Sequence, residues 1–67
     1  MFEIGAIVRY RREWCNSEAE RDYLHIVLEH RLNPITEKPT RLLIQTINTK
    51  LSLAPTEVVD DEMVERA

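Results

Sequence analysis

A chain of 67 residues makes one domain, and folding hides only about 60% of the surface that so short a chain exposes when unfolded. With 43% hydrophobic and 31% charged residues, one Gly and three Pro, it has the composition of a folded protein, which excludes disordered and fibrous classes. One cysteine excludes an internal disulfide, no Cys/His spacing supplies a structural zinc, and no run approaches the ~18 apolar residues of a membrane span. Marginal stability is therefore expected, and any added support has to come from oligomerisation or a partner.

The formal charge of −3 is unevenly spread. Residues 1–50 carry eight basic and seven acidic side chains, whereas residues 51–67 carry one and five. The body is nearly neutral, unlike the clearly basic domains of most nucleic-acid binders. Met1-Phe2-Glu3-Ile4 lacks the basic region and apolar stretch of a signal peptide, and the free thiol fits a cytoplasmic location.

Residues 2–10 alternate, with Phe2, Ile4, Ala6, Val8 and Tyr10 against Glu3, Gly5, Ile7 and Arg9, and predict a half-buried strand. Gly5 inside that pattern marks a bulge or a close backbone approach. Arg11 to Asn16 break the alternation. Ser17-Glu18-Ala19-Glu20 fits a capping box, with Ser17 as N-cap and Glu20 at N3, and predicts a helical turn over 17–22.

Residues 23–32 admit two readings. As a strand, Leu24, Ile26 and Leu28 face inward and Val27 is the exception; as a helix running on from Ser17, Leu24, Val27, Leu28 and Leu32 share a face until Asn33-Pro34 ends it. The turn formers of residues 33–39 lead straight into the most apolar run of the chain, 40–47, so a long hairpin pairing 23–32 with 40–47 is the economical reading. In 40–47, Leu42, Ile44 and Thr46 take one face and Leu43, Gln45 and Ile47 the other. Asn48-Thr49-Lys50 predicts a turn, Leu51-Ser52-Leu53 a short strand, Ala54-Pro55-Thr56-Glu57 a turn or 3₁₀ turn, and Val58-Val59 a closing strand. The acidic tail from about 60 to 67 is expected to fray or to form a helical turn.

The expected fold is therefore mainly β, a small barrel of four to five strands with one short helical turn; the alternative is an α+β fold with a helix over 17–32. The strand count, the long hairpin loop and a 3₁₀-type turn before the last strand resemble Src-homology-3-like barrels, a likeness of architecture that implies no function. Glu13-Trp14-Cys15, Arg31-Leu32-Asn33-Pro34 and Pro55-Thr56-Glu57-Val58-Val59 resemble short bacterial proteins of the mobile-element type. That resemblance carries no established activity onto these residues.

The chemistry-bearing residues are few. Cys15 with His25 or His30 is the one conceivable nucleophile–base or metal set, but histidines five apart fall on opposite faces of a strand and about 140° apart on a helix. One Gly allows no phosphate loop, and Asp60-Asp61-Glu62 lacks the spacing of a calcium loop. No enzyme, cofactor or metal is expected. Tyr10, Trp14 and Tyr23 are candidates for one aromatic partner-binding surface. Leu43 and Ile47 mark a second apolar face. Ile4, Val8, Leu24, Ile26, Leu28, Leu53 and Val59 suffice for one core, leaving that face only Ile7, Val27, Leu51 and Met63 as cover. A homodimer through it is expected. Arg9, Arg11 and Arg12 beside Tyr10 and Trp14 offer the alternative, a nucleic-acid surface. The expectation is a non-enzymatic interaction module that binds a protein partner or itself, with a nucleic-acid accessory role as the alternative.

Overall fold

The computed structural model of the chain describes residues 1–48 and 55–67. Among them five strands form one antiparallel sheet: β1 Ile7–Tyr10, β2 His25–Arg31, β3 Arg41–Thr46, β4 Thr56–Asp60 and β5 Val64–Arg66, in the order β4-β3-β2-β1-β5. The fold is mainly β. Among the described residues helix is confined to one short turn, α1 Glu18–Arg21, plus two 3₁₀ turns at Arg12–Trp14 and Asp61–Met63. The reading of 17–32 as a continuous helix is excluded by β2.

The sheet is strongly curled, and chain geometry demands it. Strands lie about 4.8 Å apart, so β4 and β5 would stand about 19 Å apart at the two edges of a flat sheet. Yet only the 3₁₀ turn 61–63 joins the end of β4 to the start of β5, and four residue steps reach at most about 14 Å. The two edges must approach each other at that corner. Two backbone hydrogen bonds lock it: Asp61 N–H to Thr40 O at 2.9 Å and Arg11 N–H to Met63 O at 2.9 Å.

The core fills the concave side. Ala6, Val8, Val27, Leu42, Ile44, Val59 and Val64 are buried, with Phe2, Tyr10 and Met63 packed against them. Val8, Val27, Leu42, Ile44 and Val64 are the largest fully buried side chains. Each contributes about 1.5–3 kcal/mol by leaving water. The alternation in 40–47 is realised in β3: Leu42, Ile44 and Thr46 are buried, Arg41, Leu43 and Gln45 half-buried on the convex side.

Several expectations are corrected. β1 begins at Ile7, not Phe2, because Gly5 takes φ +91° and a turn closes with Ala6 N–H donating to Glu3 O at 3.1 Å. No atom crowds the place of a Cβ at Gly5, so backbone conformation rather than close approach calls for glycine there. Ile4 is left 62% exposed. β2 presents its other face: His25 and Val27 are buried, and Leu24, Ile26 and Leu28 are half-buried. The β1–β2 register sets this, since Val8 faces His25 and Ile7 faces Ile26. A bulge then puts Leu28 and Glu29 together opposite Leu43, which restores the hairpin with β3 beyond it. The bulge also changes the parity of the histidines: His25 pairs with Thr46 and His30 with Leu42, both concave-side positions rather than opposite faces, and His25 is buried. Thr56 and Glu57 belong to β4 rather than to a turn.

The acidic end is not a frayed tail. Residues 61–63 form the 3₁₀ turn, and β5 pairs with β1 through Val8–Arg66, Arg9–Glu65 and Tyr10–Val64. Val64 inserts fully into the core. The strand expected at 51–53 lies outside the described residues.

Candidate functional site

At one end of the curl the concave side opens as a cleft of about 670 Å³. Its floor is set by the pleat. Tyr10 on β1 stands opposite Val64, His25 on β2 opposite Val8 and Thr46, and Glu57 on β4 opposite Ile44, so all three point to the core side. The Tyr10 hydroxyl donates to Glu57 Oε2, bridging from β1 to β4 over the two strands between them. The Tyr10 ring meets the His25 ring edge-on, with centroids 5.1 Å apart and planes at 79°.

Trp14, Tyr23, Glu20 and Met63 form the walls. Trp14 sits in the 3₁₀ turn, closed by its own N–H to Arg11 O at 2.9 Å, and remains 47% exposed. Glu20 is fixed twice by the start of α1: its N–H donates to Ser17 Oγ at 3.4 Å, and its Oε2 accepts from Asn16 N–H at 2.8 Å. This is the capping box of the sequence, with the carboxylate return one residue earlier than Ser17. Asn48 clasps the approach to β2, accepting from Leu24 N–H at 2.8 Å and donating to Asp22 O at 2.9 Å. Tyr23, between them, is 41% exposed.

The cleft is rich in acceptors. Glu20 and Glu57 each keep one carboxylate oxygen, Oε1, without a hydrogen bond among the described residues. His25 Nδ1 pairs with Thr46 Oγ1 at 3.0 Å, while its buried Nε2 meets no partner among them. Burial pushes the His25 ring below its ordinary pKa of 6.5, against the pull of Glu57, so the imidazole stays neutral. Burial, then the hydrogen bond to Glu57 and the charges of Glu57 and Glu20, raise the Tyr10 phenol, which keeps its proton. No Lys or Arg lines the cleft among the described residues.

The arginines lie elsewhere. Arg9 Nε and Arg11 Nη1 approach Glu65 at 3.6 and 3.9 Å, and Arg21 Nη2 donates to it at 3.2 Å. Arg21 Nη1 also donates to Tyr10 O at 2.5 Å, and Arg11 Nε to Glu62 O at 3.1 Å. The Arg21 guanidinium, with Arg9 and Arg11, holds the Glu65 carboxyl below the usual range. Arg12 is exposed and has no ion pair among the described residues. At the other end of β5, Arg66 forks onto both oxygens of Glu3 at 2.8 and 2.9 Å, which holds that carboxyl at about 2, and lies over the Phe2 ring at 5.6 Å.

Tyr10, Trp14 and Tyr23 therefore come together in one cleft. Leu43 does not join them: it lies on the convex side, beside Val58 and the bulge. Ile47 is separate again, 48% exposed in the bend after β3. Cys15 turns its thiol to Tyr10 O at 3.9 Å and Arg11 O at 3.5 Å. Among the described residues no group of three His, Cys, Asp or Glu side chains is placed to hold a metal, and no helix is long and apolar enough to cross a membrane.

Sequence reasoning missed Glu20, His25, Asn48 and Glu57 as site residues. Glu20 was visible as a capping residue, and His25 as the polar member of an apolar run. Glu57 carried no local signal, because only the β3–β4 register turns it inward. No family model matches the chain, and no curated protein or solved structure matches it.

Proposed function

We propose that the chain is a non-enzymatic interaction module, a small Src-homology-3-like barrel that binds a protein partner through the cleft of Tyr10, Trp14 and Tyr23 and associates with itself through the convex face. The observation that carries this reading is the cleft: two rings more than two-fifths exposed, set over a floor of fixed polar groups. Partly exposed aromatics in a concave setting are the usual furniture of peptide recognition. The strand order β4-β3-β2-β1-β5, with a 3₁₀ turn before β5, supports the barrel likeness.

For self-association the supporting surface is the convex side. There Ile7 pairs with Ile26, and Leu43 lies between Leu28 at the bulge and Val58, which is 48% exposed. Contiguous aliphatics on an open face favour a two-fold homodimer in so small a domain. Leu43→Glu is expected to convert the dimer into monomers in light scattering, or to unfold the chain if the monomer cannot stand alone. A wild-type monomer at millimolar concentration would overturn the homodimer. A cytoplasmic setting fits the free thiol.

The second reading is a nucleic-acid-binding accessory protein that uses Arg9, Arg11 and Arg12. Arg12 favours it, being exposed and unpaired among the described residues; Glu65, which occupies Arg9 and Arg11, weighs against it. Any such affinity should be weak and lost with salt, because so few arginines reach phosphate. Micromolar binding of a single-stranded oligonucleotide that survives above 0.15 M salt, on the order of physiological ionic strength, would put this reading first.

A further inference from the structure

The cleft offers three hydrogen-bond acceptors and, among the described residues, no cation, and its walls include the Trp14 and Tyr23 rings. Glu20 and Glu57 are each held by one oxygen, through Asn16 N–H and the Tyr10 hydroxyl, and so present the other in a fixed place. His25 lines the floor, is 5% exposed, and its Nε2 has no partner among the described residues. A buried ring nitrogen left unpaired is a cost that a bound donor would remove. When Nδ1–H donates to Thr46 Oγ1, Nε2 is an acceptor.

We propose that this cleft takes the arginine side chain of a basic segment of a protein partner, with the guanidinium against Trp14 and Tyr23 and its N–H groups donated to Glu20, Glu57 and His25. The inference rests on the interaction-module reading and names the chemistry of the partner. Charge complementarity decides the sign, since two carboxylates with no cation beside them among the described residues repel phosphate and attract a basic group. Donor geometry decides the residue. Guanidinium is planar, stacks on aromatic faces and carries five donors in a rigid fork, which suits three separate acceptors beside two rings. An ammonium is a compact, strongly hydrated point charge and would leave acceptors unsatisfied.

The full chain is titrated with three terminally blocked pentapeptides that have four glycines around a central arginine, lysine or citrulline. Binding is read from the fluorescence of Trp14, the one tryptophan of the chain, and from the His25 ring signals in NMR. The arginine peptide is expected to bind with a millimolar or lower Kd and to move both signals. The neutral citrulline isostere should bind at least tenfold more weakly. Glu57→Gln and Glu20→Gln should each weaken arginine binding three- to tenfold with an unchanged circular dichroism spectrum.

Equal binding of citrulline and arginine would overturn the proposal, as would no binding at all; equal binding of lysine would overturn the choice of guanidinium. Self-association that disappears in Arg12→Ala would assign the cleft to a second copy of this chain instead. Should the arginine peptide fail while Leu43→Glu still dissociates a dimer, the cation inference falls and the interaction-module reading survives. If the chain neither binds the peptide nor self-associates, both fall.

Discussion

Two charged regions lie back to back across β1, and they are opposites. On the concave side, Tyr10 points into a cleft with two carboxylates, a neutral imidazole and no cation among the described residues. On the other side, Arg9, Arg11 and Arg21 share the single carboxylate of Glu65. The pleat separates them: successive residues of a strand face opposite ways, so Tyr10 pairs with Val64 over the core and Arg9 with Glu65 away from it. Residues 9–12, contiguous in sequence, are thus not a single surface. α1 repeats the lesson in two residues, because Glu20 joins the cleft while Arg21 crosses to Tyr10 O and Glu65.

The comparison breaks most completely if β5 is lost, since that strand carries both Val64 and Glu65. Val64→Asp would place an unpaired carboxylate in the core, at a cost of several kcal/mol that exceeds the stability expected of so small a domain. A far-ultraviolet spectrum without β signal at 25 °C is the expected result. A folded variant would mean that β5 is dispensable to both regions.

Glu65→Ala should act on one side alone. Three arginines lose their shared partner, so the melting temperature falls and affinity for a single-stranded oligonucleotide rises severalfold with a steeper salt dependence. Unchanged Trp14 fluorescence would confirm that the cleft is untouched. A quenched or shifted Trp14 would join the two regions into one.

The regions should also titrate in separate windows. His25 has its folded pKa depressed, so the unfolded chain takes up its proton first. Its contribution is fully present above the ordinary value of 6.5 and is lost as pH falls from there through the depressed value. Glu65 and Glu3 are depressed carboxyls, whose contributions are complete above the ordinary 4.5 and are lost below it. Urea midpoints measured from pH 8 to pH 3 should therefore fall in two steps, and His25→Gln should remove the upper one. A single step in the variant-independent range below 4.5 would show that His25 is not buried neutral.

The smallest effect is expected from Ser17→Ala. The cap hydrogen bond is long, at 3.4 Å, and its loss should cost about 0.5–1 kcal/mol. Because α1 feeds both regions, hydrogen exchange should quicken at Glu20 and Arg21 together. Faster exchange at only one of them would show that α1 is held by tertiary contacts rather than by its cap.

By itself the sequence determined the local features. The alternation of 41–46, the Ser17 cap with its single helical turn, and the turn-rich segment before β3 all depend on neighbours a few residues away, and each reappears in the structure. So does the β class, which the alternating aliphatics and the turn formers of 33–39 favoured over the α+β alternative with a helix at 17–32. What the sequence could not settle was which side of each strand is inside. Ile26 and Val27 are equally apolar, and the Val8–His25 register together with the bulge at Leu28 selects Val27 for the core. The same long-range pairing turned His25 and Glu57 into the cleft and drew the acidic end into β5. Period-2 alternation names two faces and is blind to their assignment; only the closing of the sheet, with one buried side, distinguishes them.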